Sequence, residues 1–240
     1  MRIDPPDAYW KKDVALFLSR RFALLIMMLY PVAIIAPVAA SHIPARYAAA
    51  VVGIVAIMAG TFGAGESLTN DLNDGILTRV ALTPISPYRL VFEVLAVNAV
   101  LDLVQLTPAL VVVYLLHPAP PIWVLAATFA VFATLVAANC IGVFIANFTS
   151  SPADVLLYAT AILFPLIYIS GSFRNQSPTG VLATMREFVP FAYTNDALKN
   201  VFGLATGTTP FEVFVYPALI CAVVVAGVCF TAPRLLFPRQ

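Results

Sequence analysis

Charge is scarce in this chain. Asp, Glu, Lys and Arg make up 10% of its 240 residues, against about 25% in soluble domains. With 61% hydrophobic residues and a mean hydropathy of +0.94, that scarcity excludes an ordinary soluble domain and leaves a polytopic membrane protein. The net charge of +1 gives no basic excess with which to hold nucleic acid. Cysteine is scarce as well. Cys140, Cys221 and Cys229 all fall in apolar runs, so they read as small buried hydrophobes and not as disulfides or metal ligands. No G-x-x-x-x-G-K-[ST] occurs, so the chain has no P-loop to cradle nucleotide phosphates, and no H-E-x-x-H occurs to bind zinc. Asp4, Asp7 and Asp13 near the N-terminus, with no short apolar core before a small-residue cleavage site, argue against a cleaved signal.

What the chain does have is hydrocarbon in long runs. A bilayer span needs about 20 residues, and six stretches approach or exceed that: 22–40, 47–65, 91–116, 122–148, 155–173 and 211–232. The first is interrupted by Pro31 and Pro37. The second carries Ala56, Gly60 and Ala64 four apart, a small-residue stripe that lets another helix approach closely. Residues 1–21 are polar and basic, with Trp10, Val14, Phe17 and Arg21 at helical spacing, which predicts an amphipathic helix lying at the membrane surface. Residues 174–207 form a longer amphipathic connection. There Val181, Met185, Phe188 and Val189 share one helical face, Ala197, Leu198, Val201 and Phe202 another, and Pro190 separates the two.

Lys and Arg set the expected orientation. With the N-terminus inside, nine basic residues lie on the cytoplasmic side: Arg2, Lys11, Lys12, Arg20, Arg21, Arg79, Arg89, Arg234 and Arg239. Four lie outside: Arg46, Arg174, Arg186 and Lys199. The expected fold is therefore an all-α membrane protein of six transmembrane helices with both termini in the cytoplasm.

One polar island breaks the apolar pattern. It runs from Glu66 to Glu93, with residues 66–90 linking spans two and three. An island this polar is expected to sit in water. Asn70, Asp71, Asn73 and Asp74 precede Gly75, a turn signal. Ile76, Leu77, Val80 and Leu82 then recur at roughly helical spacing. Thr83-Pro84 should end that short helix, and Ser86-Pro87 should begin the next. An EF-hand loop counted from Asn70 would need an acid at Ala81.

Glu66, Asp74-Gly75-Ile76-Leu77, Arg79 and Leu82-Thr83-Pro84-Ile85-Ser86 resemble the signature of type-2 ABC exporter permeases, which sits between the second and third of six spans. The basic N-terminal helix is similar to that family's membrane-surface connecting helix. Val189-Pro190-Phe191-Ala192-Tyr193 through Ala197-Leu198-Lys199 resembles its extracellular segment before the last span. Ile76 stands where threonine is usual and Lys199 where arginine is usual. The resemblance implies a permease subunit of a prokaryotic plasma membrane that pairs with a second copy or a paralogue. It also implies a separate ATPase subunit carrying ATP and magnesium, with no cofactor on this chain. Glu66, Asp74, Gly75, Leu77, Arg79, Leu82, Thr83, Pro84 and Ser86 would couple the spans to that ATPase through a short cytoplasmic helix.

Within the spans, Asn98, Asp102 and Gln105 fall on one face of a helix. An ionised Asp near mid-bilayer costs about 2.5–3.5 kcal/mol on insertion scales, so Asp102 should meet a partner or a wet cavity. A translocation path that includes Asn98, Asp102, Gln105 and Asn139 is one reading, and an interhelical hydrogen-bond stripe is the other. Glu93 should pair with Arg89 one turn back. Two other functions remain open. One is a proton-coupled transporter using Asp102, although no repeated half is evident. The other is an intramembrane enzyme using Asp102 or Glu93 with His42 or His117.

Overall fold

Proline and glycine mark most of the helix ends. In the computed structural model, which describes residues 9–19, 21–41, 44–76, 86–172, 179–204 and 206–236, four helices carry proline at an early position, where its missing N–H costs nothing. The helices are α1 (Tyr9–Ser19), α2 (Arg21–Ala40), α3 (Ala45–Asn73), α4 (Pro87–Leu116), α5 (Pro121–Ala146), α6 (Pro152–Ser170), α7 (Val181–Glu187), α8 (Pro190–Val201) and α9 (Pro210–Leu236). There is no strand among the described residues. Ser151 caps α6 by accepting from the Asp154 backbone N–H at 3.2 Å. Gly171 closes the same helix at φ +78°, a left-handed position that glycine reaches without strain.

Five helices are long and apolar enough to cross a bilayer: α3, α4, α5, α6 and α9. The first expected span, 22–40, is helical. It lies in α2, Arg21–Ala40, 20 residues long and so as long as the ~30 Å hydrocarbon core is thick. Among the described residues its apolar stretch, Leu24–Ala40, is shorter than those five. The second span differs from expectation. Helix α3 does not stop at residue 65 but continues through Glu66 to Asn73. The first third of the polar island is therefore the end of a spanning helix and not a loop.

Helix α5 lies at the centre, and α3 crosses it backbone to backbone. A Cβ placed on Gly60 would lie 2.9 Å from Ala138 Cβ and 3.1 Å from the Leu135 carbonyl oxygen. A Cβ on Gly65 would lie 3.3 Å from the Gly142 carbonyl oxygen, and one on Gly142 would run into the Thr61 carbonyl. The expected stripe of Ala56, Gly60 and Ala64 is buried, and its partner is a matching small-residue surface on α5. This close approach is what small residues provide in lipid, where apolar burial alone gives helices little reason to associate.

The α7–α8 hairpin folds back into the bundle. Val189 and Phe191 at the start of α8 share an apolar cluster with Ile57, Ala133 and Ala137. Ala197, Leu198, Val201 and Phe202 share one with Ala39, Ala48, Ala126 and Ala130. Ala133 lies about 18 Å along α5 from Pro121, so the hairpin dips deep beside it. Thr194 anchors the hairpin by donating to the Ala130 carbonyl at 2.8 Å and contacting the Thr134 hydroxyl. The second expected face, 197–202, is buried. The first is not: Val181, Met185 and Phe188 point away from the protein, and Val189 alone turns inward.

Candidate functional site

Two places hold the polar residues singled out from the sequence. The first is the end of α3 with the turn after it. Glu66 is exposed on α3. Asp74 and Gly75 form the turn: the Asp74 N–H donates to the Asn70 carbonyl at 2.9 Å and the Gly75 N–H to the Leu72 carbonyl at 3.1 Å. Gly75 has φ +67° and open space around its Cα, so glycine is there for its backbone and not for packing. The following residues, Leu77, Arg79, Leu82, Thr83 and Pro84, lie outside the described residues, as does the expected coupling helix. Ser86 precedes α4, and its carbonyl accepts from the Leu90 N–H at 3.1 Å. Arg89 and Glu93 pair as expected, Nε to Oε1 at 2.7 Å.

The island does not sit wholly in water. Thr69 is fully buried and Asp71 is 6% exposed. The Thr69 and Thr149 hydroxyls lie 3.3 Å apart, and Asn73 Nδ2 donates to the Ser150 carbonyl at 3.1 Å. These bonds tie the end of α3 to the turn between α5 and α6. Leu72 and Ile76 pack against an apolar cluster built on Leu68, Leu90, Val94 and Val143. The segment therefore presents one polar face while its other side packs on α4 and α5. Neither cross-link could be read from the sequence, because Thr69 and Thr149 are 80 positions apart and isolated hydroxyls carry no spacing signal.

The second place lies between α4, α5 and α3. Asn139 Nδ2 donates to Asp102 Oδ2 at 3.1 Å, and Asp102 is 6% exposed. A Cβ on Gly63 would lie 3.5 Å from Asp102 Oδ1. Asp102 and Asn139 are thus brought together, while Asn98 and Gln105 stay outside this bond and only part-buried. Three buried polar atoms here have no hydrogen-bond partner: Asn139 Oδ1, Asn98 Nδ2 and Thr61 Oγ1. Unpaired buried groups are uncommon and costly, which marks this seam as one of the polar spots in the bundle. Thr61 was not picked out from the sequence. The nearby small-residue stripe was its only signal.

The other titratable candidates serve packing. His117 Nε2 lies 3.0 Å from the Ala39 carbonyl, and its ring meets Phe202 edge-on at 4.5 Å. Cys221 Sγ donates to the Ala133 carbonyl at 3.0 Å. His42 lies outside the described residues. Among the described residues no three His, Cys, Asp or Glu side chains gather as a metal site. Beside the hairpin, Arg186 pairs with Asp196 at 2.5 Å and its Nε reaches the Ser170 carbonyl at 3.4 Å. Burial pushes the Asp196 carboxyl up, against the pull of Arg186 and Lys199.

A search of curated proteins found no match. The bundle of apolar helices, the polar turn after α3 and the hairpin before α9 are accompanied by a match of residues 8–203 to the family model described as ABC-2 type transporter. Covering most of the chain, that match shows that this protein belongs to the ABC-2 type transporter family and is a multi-pass membrane permease.

Proposed function

We propose that this permease works as an exporter, that it pairs with a second copy or a paralogue to enclose the translocation path, and that a separate ATPase subunit drives it. The family match over residues 8–203 carries this reading. ATP and magnesium belong to the partner in it, and this chain holds no cofactor. Helix α2 supplies the first of six spans, α1 rests on the membrane surface, and both termini face the cytoplasm of a prokaryotic plasma membrane. The nine-to-four bias of basic residues supports that orientation. The α7–α8 hairpin then enters the membrane from outside. The exposed Val181, Met185 and Phe188 give it an apolar side fit for lipid.

In this reading the ATPase seats on the turn after α3, contacting Glu66, Asp74, Gly75, Leu77, Arg79, Leu82, Thr83, Pro84 and Ser86. The bonds Thr69–Thr149 and Asn73–Ser150 explain how a push there moves more than one span: α3 and the α5–α6 turn move together. The tight crossing of α3 and α5 at Gly60, Gly65 and Gly142 passes the motion up to the seam that holds Asp102 and Asn139. Those two residues, with Asn98 and Gln105, line or gate the path.

The test uses the permease reconstituted with the ATPase subunit that co-purifies with it. The expected result is that Glu66→Lys abolishes ATP-driven transport while the ATPase still hydrolyses ATP and the variant still inserts. Normal transport by Glu66→Lys would contradict the docking site. Transport that continues without ATP but collapses with the proton gradient would favour a proton-coupled transporter built on Asp102.

A further inference from the structure

Two cations near the α7–α8 hairpin form no ion pair among the described residues. Arg46, in the first turn of α3, lays its guanidinium over the Tyr47 ring at 4.8 Å and reaches the Tyr47 hydroxyl at 3.4 Å. Its Nε is buried without a hydrogen-bond partner. Lys199, in the last turn of α8, is half-buried. Burial lowers the proton affinity of Lys199; Asp196 raises it, and Arg186 and Arg46 lower it again. Asp196, the nearby acid, is committed to Arg186. One turn before Lys199 on the same face of α8, Asn195 is 1% exposed and neither of its amide atoms has a partner.

Cations at the end of a membrane bundle ordinarily extend their charged heads into water. Arg46 does the opposite with its Nε. Phe202, just past α8, packs on His117, which reaches the Ala39 carbonyl at the end of α2. Arg46 and Lys199 therefore lie at the same end of the bundle, and keeping two like charges there partly out of water is unfavourable unless an anion joins them. Two unsatisfied donors, Arg46 Nε and the Asn195 amide N–H, and the Lys199 ammonium, which forms no ion pair among the described residues, are groups that an oxyanion would use. Arg46 also sits where a spanning helix begins, the depth at which lipid phosphates lie.

We propose that Arg46, Lys199 and the Asn195 amide form a binding site for a phosphate group, presented by an anionic lipid headgroup or by a free phosphate ester. The site needs the membrane-spanning bundle but not the docked ATPase, so it stands or falls separately from the proposed coupling.

The purified full-length permease is compared with Arg46→Gln/Lys199→Gln, with the charge-keeping Arg46→Lys/Lys199→Arg, and with Arg89→Gln, which removes a cation from the opposite end. One arm follows thermal unfolding as inorganic phosphate replaces chloride at constant ionic strength. The other counts phosphatidylglycerol against phosphatidylcholine retained from mixed bilayers by native mass spectrometry. The wild type, the charge-keeping variant and Arg89→Gln should respond alike. The glutamine pair should bind about tenfold more weakly or worse in at least one arm. Loss only in the lipid arm identifies a headgroup, and loss only in the phosphate arm a soluble ester. If the double variant does not accumulate, Lys199→Gln alone should show the loss, because that side chain makes no ion pair the fold depends on. A wild type indifferent to phosphate and to phosphatidylglycerol, or glutamine variants that match it in both arms, would overturn the proposal.

Discussion

Helices α5 and α9 are both strongly apolar, yet they end in opposite surroundings. Of the most apolar stretch of α5, 72% is buried in the protein; of the corresponding stretch of α9, 17%. Side-chain size separates them, not polarity. Helix α5 buries Ala130, Ala137, Ala138 and Gly142, whereas α9 turns Phe211, Leu219, Val223 and Phe230 outward. In water, burial follows hydrophobicity. In lipid an exposed Phe loses nothing, and the helix at the centre is the one whose neighbours can come closest. In the function proposed above, rigid transmission would run through the α3–α5 seam, and α9 would be left to meet lipid or a second permease.

Substitutions at glycine should separate the two helices most sharply. Gly142→Leu forces a side chain into the Thr61 carbonyl and the Gly65 amide, so little folded protein should survive purification, a loss of several kcal/mol. Gly227→Ala on α9 meets nothing within 4 Å and should leave the melting temperature unchanged or slightly raised, by up to about 1 kcal/mol of helix propensity. Equal outcomes would break the comparison.

The polar part of the seam comes next in size. Asp102→Ala leaves the Asn139 amide with no partner, adding Nδ2 to the already unpaired Oδ1, and should cost about 1–2 kcal/mol in thermal unfolding. Asp102→Asn keeps a partner for that amide and should cost less, while changing transport more than stability. An Asp102→Asn chain that fails to accumulate would reduce the pair to a structural bond.

Smallest of all should be Glu93→Gln. Its pairing with Arg89 is at the surface, with the Arg89 side chain 58% exposed, and such pairs contribute about 0.5 kcal/mol or less. A larger loss of stability would mean that the end of the bundle is held by charge as much as by the packing of Leu90 and Val94.

Much of this was legible in advance. The apolar runs located the long helices, the small-residue stripe of α3 located the crossing, Pro190 located the break in the hairpin, and the four-residue spacing of Arg89 and Glu93 located their pair. The resemblance at Glu66 and 74–86 agreed with the family match. The misses share one cause. Helix α3 runs past Glu66 because Leu68, Thr69 and Asp71 are buried against the rest of the bundle, which local polarity does not register. Val181, Met185 and Phe188 show a helical face in sequence, but periodicity does not say whether protein or lipid covers it. Among the intramembrane polar residues, a shared helical face gathered Asn98, Asp102 and Gln105; the partner of Asp102 lies on another helix, 37 positions away.

The docking claim is tested most directly by site-specific cross-linking to the ATPase in inverted membrane vesicles. Cys140, Cys221 and Cys229 are first replaced by alanine, and a single cysteine is then placed at Asp74 or at Phe188, two exposed positions on the turn after α3 and on the hairpin. The Asp74 cysteine should cross-link to the ATPase and the Phe188 cysteine should not. Cross-linking from Phe188 with none from Asp74 would contradict both the docking site and the orientation of the bundle.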